Sequence, residues 1–278
     1  FDGIDDYALL DNDILNGLGE FSLKVDFNAD SFQNGYSNIF QIDAGMYARY
    51  VGGDNFNVTL NIDDGQGITN SLFPPFNQWH SLVITYDSDF YCLYFNESLY
   101  DCDELTGVFN NSNPLYIGNW STSEGFNGSI TDFKIWNYSL SENEISNNSL
   151  PQENLIVDYK FNKGDGNILI DYSGNQNHGT INGAVWVENI LGCIDEFACN
   201  YNETADFDDG SCDYSCHDNG DYSLSFDGVG QYIDLDENVI NLNEEYTIKS
   251  YLKFPLPETQ CGDQSFNHNV LVSHLDIT

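Results

Sequence analysis

The chain has 278 residues, 41% hydrophobic and 15% aromatic, ample for one large all-β domain or two ordinary ones and against disorder as the default. Seven Lys and Arg stand against 45 Asp and Glu, a formal net charge of -38. Such a surface repels nucleic acid and anionic membranes; it implies divalent cations or a salty medium, or else a generally solubilising acidic coat. No apolar run approaches the roughly 20 residues that span a bilayer, and the expectation is a soluble segment, without membrane insertion, whose export signal lies upstream of Phe1.

In chain order, FDGIDDYALL (residues 1–10) already alternates apolar with polar side chains, and GEFSLKVDF follows at 19–27. VTLNI (58–62), HSLVITYD (80–87) and FYCLYFN (90–96) alternate or carry β-branched and aromatic runs, while Gly, Asn, Asp and Pro clusters punctuate them. SENEIS (141–146) offers Ser141 as N-cap and Glu144 three residues on, a capping box for one or two helical turns. The expected class is all-β, an antiparallel sandwich, because many strands at short spacing must share one core.

Seven cysteines lack zinc-finger spacing, and disulfides in an oxidising compartment are their expected use. Cys92 and Cys102 sit symmetrically about Glu97. A hairpin turn at 96–98 would place their sulfurs opposite each other across the ladder. Eight Asn-x-Ser/Thr triplets fit the same compartment as glycosylation candidates, at Asn57, Asn96, Asn110, Asn119, Asn127, Asn137, Asn147 and Asn202.

The chain also matches itself. FDGIDDYALL at 1–10 recurs as FDGVGQYIDL at 226–235, and GEFSLKVDF at 19 as EEYTIKSYL at 244, both at an offset of 225 residues. SNIFQID (37–43) has an echo in NVLVSHLD (269–276), after an insertion carrying Cys261. The expectation is one repeat plus the start of the next, from a longer tandem array. Because Gly230 and Gln231 replace Asp5 and Asp6 in the second copy, no ion site shared between copies is expected at that acidic pair. Cys261 has no partner in the second copy, so its mate is expected downstream or in another chain.

FDGIDDYALL, EFSLKVDFN, NQWHSLVITYDSDFYCLYFNESL, PLYIGNW, GFNGSITDFKIWNYSLSENEI and VDYKFNKGDGNILIDYSGNQNHGTINGAVW occur in the order found in laminin G-like, concanavalin A-like jelly-roll domains. Residues 1 to about 188 resemble that family, and the likeness resumes at Tyr222. It implies a jelly-roll sandwich over 1–190 and the N-terminal part of a second over 221–278. Two positions depart from the family's pattern. Asn96-Glu97 stands where Asn-Gly is common, implying a changed turn, and Tyr138 stands where Arg is common, implying the loss of an ion pair with an acidic residue such as Asp132.

Between the copies, GCIDEFACNYNETADFDDGSCDYSC (192–216) resembles the GCTDPxACNYxxxAxxDDGSC segments of modular marine surface proteins. This disulfide-rich connector (191–220) has no core of its own, so crosslinks must substitute for one. Cys193, Cys199, Cys212 and Cys216 leave three connectivities open. Asp195, Asn200, Asn202, Asp206, Asp208 and Asp209 offer hard oxygen ligands of the kind Ca²⁺ takes six to eight at a time, although their spacing breaks the EF-hand rule. The alternative is a set of Asx-turns on a solvated acidic surface.

Enzymatic signatures are missing. Glu20 and Asp26 are six apart rather than alternating on one strand, and neither HExxH nor GxSxG is present. His80 reads as a packing or hydrogen-bonding residue. Trp79 and Trp136 stand in strand contexts as core candidates, and Trp120, in the turn-rich GNWSTSEGFNG, is the candidate sugar platform. The expected function is an extracellular structural or adhesive module of a tandem-repeat surface protein, of the kind that assembles into fibres or filaments, whose partners are neighbouring copies of itself or further repeats. The alternative is a calcium-dependent, lectin-like carbohydrate-binding module that engages surface glycans.

Overall fold

A computed structural model of the chain describes residues 1–10, 13–32, 35–62, 66–119 and 124–218, with isolated positions 220, 224, 225 and 233. Trp120 and Cys261 lie outside the described residues, as does the expected second copy apart from Leu224, Ser225 and Ile233. The first compact unit runs Phe1–Asp218 and takes in both the sandwich and the connector.

The strands of this unit follow in order as β1 (Tyr7–Leu10), β2 (Phe21–Ala29), β3 (Tyr36–Ile42), β4 (Met46–Val51), β5 (Phe56–Ile62), β6 (Gln66–Leu72), β7 (Trp79–Tyr86) and β8 (Phe90–Phe95). Next come β9 (Ser98–Glu104), β10 (Leu115–Ile117), β11 (Gly128–Trp136), the helix α1 (Glu142–Ser146), β12 (Leu155–Tyr159), β13 (Ile168–Leu169) and β14 (Gly179–Asn182). The connector adds β15 (Leu191–Gly192) and β16 (Phe207–Asp208). Two antiparallel sheets carry the fold. One has the order β13-β14-β1-β10-β3-β4-β5-β6, and the other β12-β11-β2-β7-β8-β9.

Period-two alternation decides which face each strand buries. On β2, Phe21, Leu23, Val25, Phe27 and Ala29 enter the core while Ser22, Lys24, Asp26 and Asn28 face away. The facing sheet contributes Phe40, Ala48, Phe56 and Val58, and the neighbouring strands of the same sheet Ile84 and Phe133, all fully buried; the Phe27 and Phe56 rings stack 5.3 Å apart. This is the sandwich expected from the strand pattern.

The six-stranded sheet is also covered on part of its outer face. Trp136, Val83 and Tyr94 form a second buried cluster with Leu140 and Ile145, the last from α1. Ser141 caps α1 through the capping box anticipated in SENEIS. Trp136 is fully buried and donates its indole N–H to the Pro151 carbonyl at 3.0 Å.

Further along that face runs an ion-pair network. Lys24 Nζ lies 2.5 Å from Asp26 and 2.7 Å from Asp132, and Lys134 contacts Asp132 and stands 3.6 Å from Asp158. Burial holds the Lys134 ammonium below its ordinary pKa, opposed by the Asp158 carboxylate. Asp132 is therefore fully paired although Tyr138 has replaced the family's Arg, so the expected loss is made good by two lysines. Tyr138 itself is held by the Ser22 hydroxyl, which donates to its carbonyl at 2.9 Å, and its own hydroxyl lies 3.3 Å from Glu144.

The hairpin between β8 and β9 corrects the expected turn. Asn96 (φ 48°) and Glu97 (φ 61°) form a two-residue turn, both residues in the left-handed region. Positive φ at both central residues is the type I′ pattern that Asn-Gly ordinarily fills, so the turn type is kept and Glu97 occupies the glycine position. A bulge between Leu93 and Tyr94 then shifts the register by one residue and brings Cys92 opposite Cys102, which are bonded.

Candidate functional site

The outer face of the eight-stranded sheet carries a set of half-buried and exposed aromatic side chains, Tyr7, Tyr36, Tyr47 and Tyr116, on its strands. On β4, Met46, Ala48 and Tyr50 point into the core, which turns Tyr47 and Arg49 outward. Pairing register then aligns one row across five strands: Tyr116 on β10, Gln41 on β3, Tyr47 on β4, Thr59 on β5 and Thr69 on β6. Tyr7 on β1 extends the aromatic surface, its ring 5.7 Å from that of Tyr116. Since neighbouring strands lie about 4.8 Å apart, Tyr116 and Tyr47, two strands apart, are separated by about 10 Å along the row.

The next row holds Asn38, Arg49, Asn57 and Ser71. Arg49 is the sole arginine of the chain. Its guanidinium carbon lies 4.0 Å from the Tyr36 ring centroid and 4.0 Å from that of Tyr47, so two aromatic rings hold the cation in place. The buried Arg49 Nε, Asn38 Oδ1 and Gln41 Oε1 have no hydrogen-bond partner, and Asn38 and Gln41 are almost fully buried. Asn38 donates its amide to Glu124 Oε2 at 2.9 Å, and Ser71 donates to Asn57 Oδ1 at 3.0 Å. Sequence reading missed this face. The alternation in MYARYV was a usable sign of outward Tyr47 and Arg49, but their neighbours come from distant strands.

In the connector, the disulfides are Cys193–Cys212 and Cys199–Cys216, one of the three open connectivities. Each proposed oxygen ligand is engaged within the segment or its lead-in. Asp195 accepts the Phe197 N–H at 2.9 Å and the Tyr214 hydroxyl at 2.5 Å. Asn200 accepts from Asp213 N, Asn202 from Thr204 N, Asp206 from Ile190 N, Asp208 from Gly210 N and Asp209 from Ser211 N. The Tyr214 hydroxyl and the Ser211 hydrogen bonds hold the Asp195 and Asp209 carboxyls below the usual carboxylate range. Asp195, Asn202, Asp208 and Asp209 thus form Asx-turns with the residue two further on, whereas Asn200 and Asp206 tie distant parts of the segment together, and no three of the connector carboxylates bring oxygens within 4.8 Å of one another among the described residues. Cys199, Cys216 and His217 do come together, but both sulfurs belong to the disulfide.

At the other end of the chain, Asp2, Asp5 and Asp6 each offer one oxygen within 4.8 Å of the others. Asp6 accepts the Asp2 N–H at 2.8 Å and Asp2 that of Ile4 at 2.9 Å, which closes the turn before β1.

His80 is a packing residue, as expected. It is buried, donates from Nε2 to the Pro75 carbonyl at 2.9 Å, and stacks 5.0 Å from Phe95. Trp79 is not core. It is half-buried on the outer face of the six-stranded sheet, its ring 4.7 Å from Phe207 of the connector, beside a small cleft lined by Ser129, Thr131, Trp186 and Val187. Among the glycosylation candidates, Asn96, Asn110, Asn137 and Asn147 are exposed, Asn57, Asn127 and Asn202 half-buried, and Asn119 is 3% exposed with its amide donated to the Ile4 carbonyl.

Among the described residues, no helix is long and apolar enough to cross a membrane. No curated protein matches the chain. Among solved structures, a candidate carbohydrate-binding protein from Bacteroides ovatus superposes with a TM-score of 0.53 at 19% identity, over 65% of this chain and 57% of that one. The chain therefore spans little more than half of that relative's length. A heptameric SAP-like pentraxin from Limulus polyphemus gives 0.42 at 14% identity, over 52% and 78% of the two chains. The binding domain of botulinum neurotoxin serotype G gives 0.40 at 19%, over 49% and 36%. At such identities the likeness is one of fold. The family model for concanavalin A-like lectins and glucanases matches residues 2–146, more than half of the chain and nearly all of the two-sheet sandwich through α1. By that match and by its architecture, the chain belongs to the concanavalin A-like lectin/glucanase superfamily.

Proposed function

We propose that this chain is a carbohydrate-binding module of an extracellular surface protein, and that the glycan docks on the outer face of the eight-stranded sheet. The observation that carries this reading is the in-register row of Tyr116, Gln41 and Tyr47, flanked by Tyr7, Tyr36 and Arg49. Sugar rings present apolar C–H faces and a rim of hydroxyls. Tyrosine rings on rigid strands give those faces a stacking surface at small entropic cost, and the unpartnered Gln41 Oε1 between Tyr116 and Tyr47 suits a hydroxyl donor. The spacing of about 10 Å between Tyr116 and Tyr47 accommodates sugars along a chain rather than one terminal residue. Membership of a lectin-containing superfamily and the fold likeness to a candidate carbohydrate binder support the same class. Three disulfides support an oxidising, extracellular setting.

A second reading, a structural or adhesive unit in a tandem array, has its own support in the connector. Two interleaved disulfides and a ring contact to Trp79 make that segment a stiff lead-out from the sandwich rather than a loose tether.

A glycan array decides between them. The glycan-binding reading expects retained glycans and at least tenfold weaker binding by Tyr47→Ala and Tyr116→Ala, with unchanged thermal midpoints. An array without a single bound glycan would remove it and leave the structural reading.

A further inference from the structure

We propose that the sugar seated at Arg49 is acidic, carrying a carboxylate or a sulfate; this rests on the outer face being the glycan-binding face. In a chain with 45 Asp and Glu, cations are expected to be claimed by carboxylates. All four lysines among the described residues obey: Lys24, Lys134, Lys160 and Lys163 each lie within 3.6 Å of an aspartate. Arg49 alone does not, since no carboxylate among the described residues comes within 4.0 Å of it and its polar contacts are the two tyrosine rings. Glu124, which reaches the same part of the face, is engaged by the Asn38 amide instead.

The chemistry of the residue fits an oxyanion. Guanidinium presents paired donors in a planar fork that matches carboxylate and sulfate, and it is weakly hydrated, so contact with an anion exposes little unmet solvation. Its Nε is enclosed without a hydrogen-bond partner while the residue as a whole is half-buried, so the side chain is neither satisfied by the protein nor sealed from the surface. Clamped between Tyr36 and Tyr47, the fork is pre-organised, and binding immobilises little that is not already fixed. The surrounding charge of -38 opposes any polyanion at long range. At physiological ionic strength, however, charges farther than about 8 Å are largely screened, while a fork in contact with its anion is not. The acidic coat then rejects polyanions that do not fit the face, and Arg49 admits one that does.

The test is an array of uronic-acid, sialic-acid and sulfated oligosaccharides beside their neutral, carboxyl-reduced or desulfated counterparts, probed with the full chain and with Arg49→Gln and Arg49→Lys. Affinities of the hits are measured by titration calorimetry. We expect acidic members to bind at least tenfold more tightly than their neutral counterparts, Arg49→Gln to erase that difference, and Arg49→Lys to keep part of it. Separate carboxylated and sulfated probes tell which oxyanion is preferred. Equal binding of acidic and neutral counterparts by the unaltered chain, which needs no variant, overturns the assignment while the glycan-binding reading stands. Acidic hits unaffected by Arg49→Gln, or weakened in step with their neutral counterparts, overturn it too. An array with no hits of either kind overturns both.

Discussion

Trp79 of strand β7 and Phe207 of the connector place their rings 4.7 Å apart, centroid to centroid, at an interplanar angle of 33°. The connector has few other apolar contacts to rely on. Leu191, Ile194 and Phe197 are 62%, 51% and 71% exposed, and only Cys193 and Ala198 among its hydrophobic residues are buried. Phe207→Ala should therefore loosen the connector by about 1–2 kcal/mol, the area and ring-pairing value of a half-buried aromatic contact, while the sandwich keeps its stability. Hydrogen exchange would show faster amide exchange across residues 191–212 alone. Unchanged exchange there would mean that the disulfides hold the segment by themselves.

The hairpin at Asn96–Glu97 gives a prediction of the opposite sign. Glu97 sits at φ 61°, a region where a Cβ costs about 1 kcal/mol and glycine pays nothing. Glu97→Gly should stabilise the domain by roughly 0.5–1 kcal/mol net of the extra unfolded-state freedom of glycine, a rise of about 1–4 °C in thermal midpoint. A fall in the midpoint would show that the Glu97 side chain contributes more than its backbone strain removes.

That turn also shows what was legible in the sequence. Strand alternation and the Ser141–Glu144 capping box are local, and they gave the sandwich and α1 directly. The pairing of Cys92 with Cys102 followed from symmetry about Glu97, yet the structure reaches it through a shorter turn and a bulge, because a positive-φ pair closes tightly and the register must then be recovered. The outer aromatic face of the eight-stranded sheet was not legible. Tyr116, Gln41, Tyr47 and Thr59 are neighbours only through the order of four strands, which no local pattern encodes. The connector carboxylates leave both a calcium site and a set of turns open in the sequence, because composition cannot tell an oxygen that accepts from a loop N–H from one free to bind an ion.

Acid should loosen the connector before the sandwich. Hydrogen bonds from Tyr214 and the Phe197 N–H lower Asp195, those from Ser211 lower Asp209, and those from Ser215 lower Asp213. A carboxylate whose folded pKa is depressed contributes stability that is fully present above its unfolded value and is lost as pH falls through the folded one. The connector should thus be unchanged from neutral pH to about pH 4 and lose order below it. An NMR titration of the Phe197, Ser211 and Ser215 amides would show midpoints below the ordinary carboxylate value. Midpoints at or above that value would remove this account of the turns.

Calcium offers a direct check on the same residues. A calcium site needs six or more oxygens around one point, whereas Asp195, Asp206, Asp208 and Asp209 are engaged in separate hydrogen bonds. Added calcium or a chelator should leave the thermal midpoint of the full chain unchanged, and calorimetric titration should give no saturable heat. A saturable heat abolished by Asp208→Asn with Asp209→Asn would instead establish a site formed by rearrangement of these turns.

The ion-pair network on the six-stranded sheet separates removal of a charge from replacement of a pair. The Asp158 side chain is 1% exposed and stands 3.6 Å from both Lys134 and Lys160, while the Lys134 side chain is 10% exposed. Asp158→Ala leaves a buried ammonium with Asp132 as its remaining partner, and should destabilise the domain by about 3 kcal/mol or more, a fall in midpoint on the order of 10 °C. Replacing both members, Lys134→Met with Asp158→Leu, removes the desolvation burden together with the attraction and should be close to neutral. Chemical denaturation of the two variants side by side makes the comparison. Equal losses would mean that the pair's attraction outweighs its desolvation, and that the network is a net source of stability rather than a means of fixing the register of β2, β11 and β12.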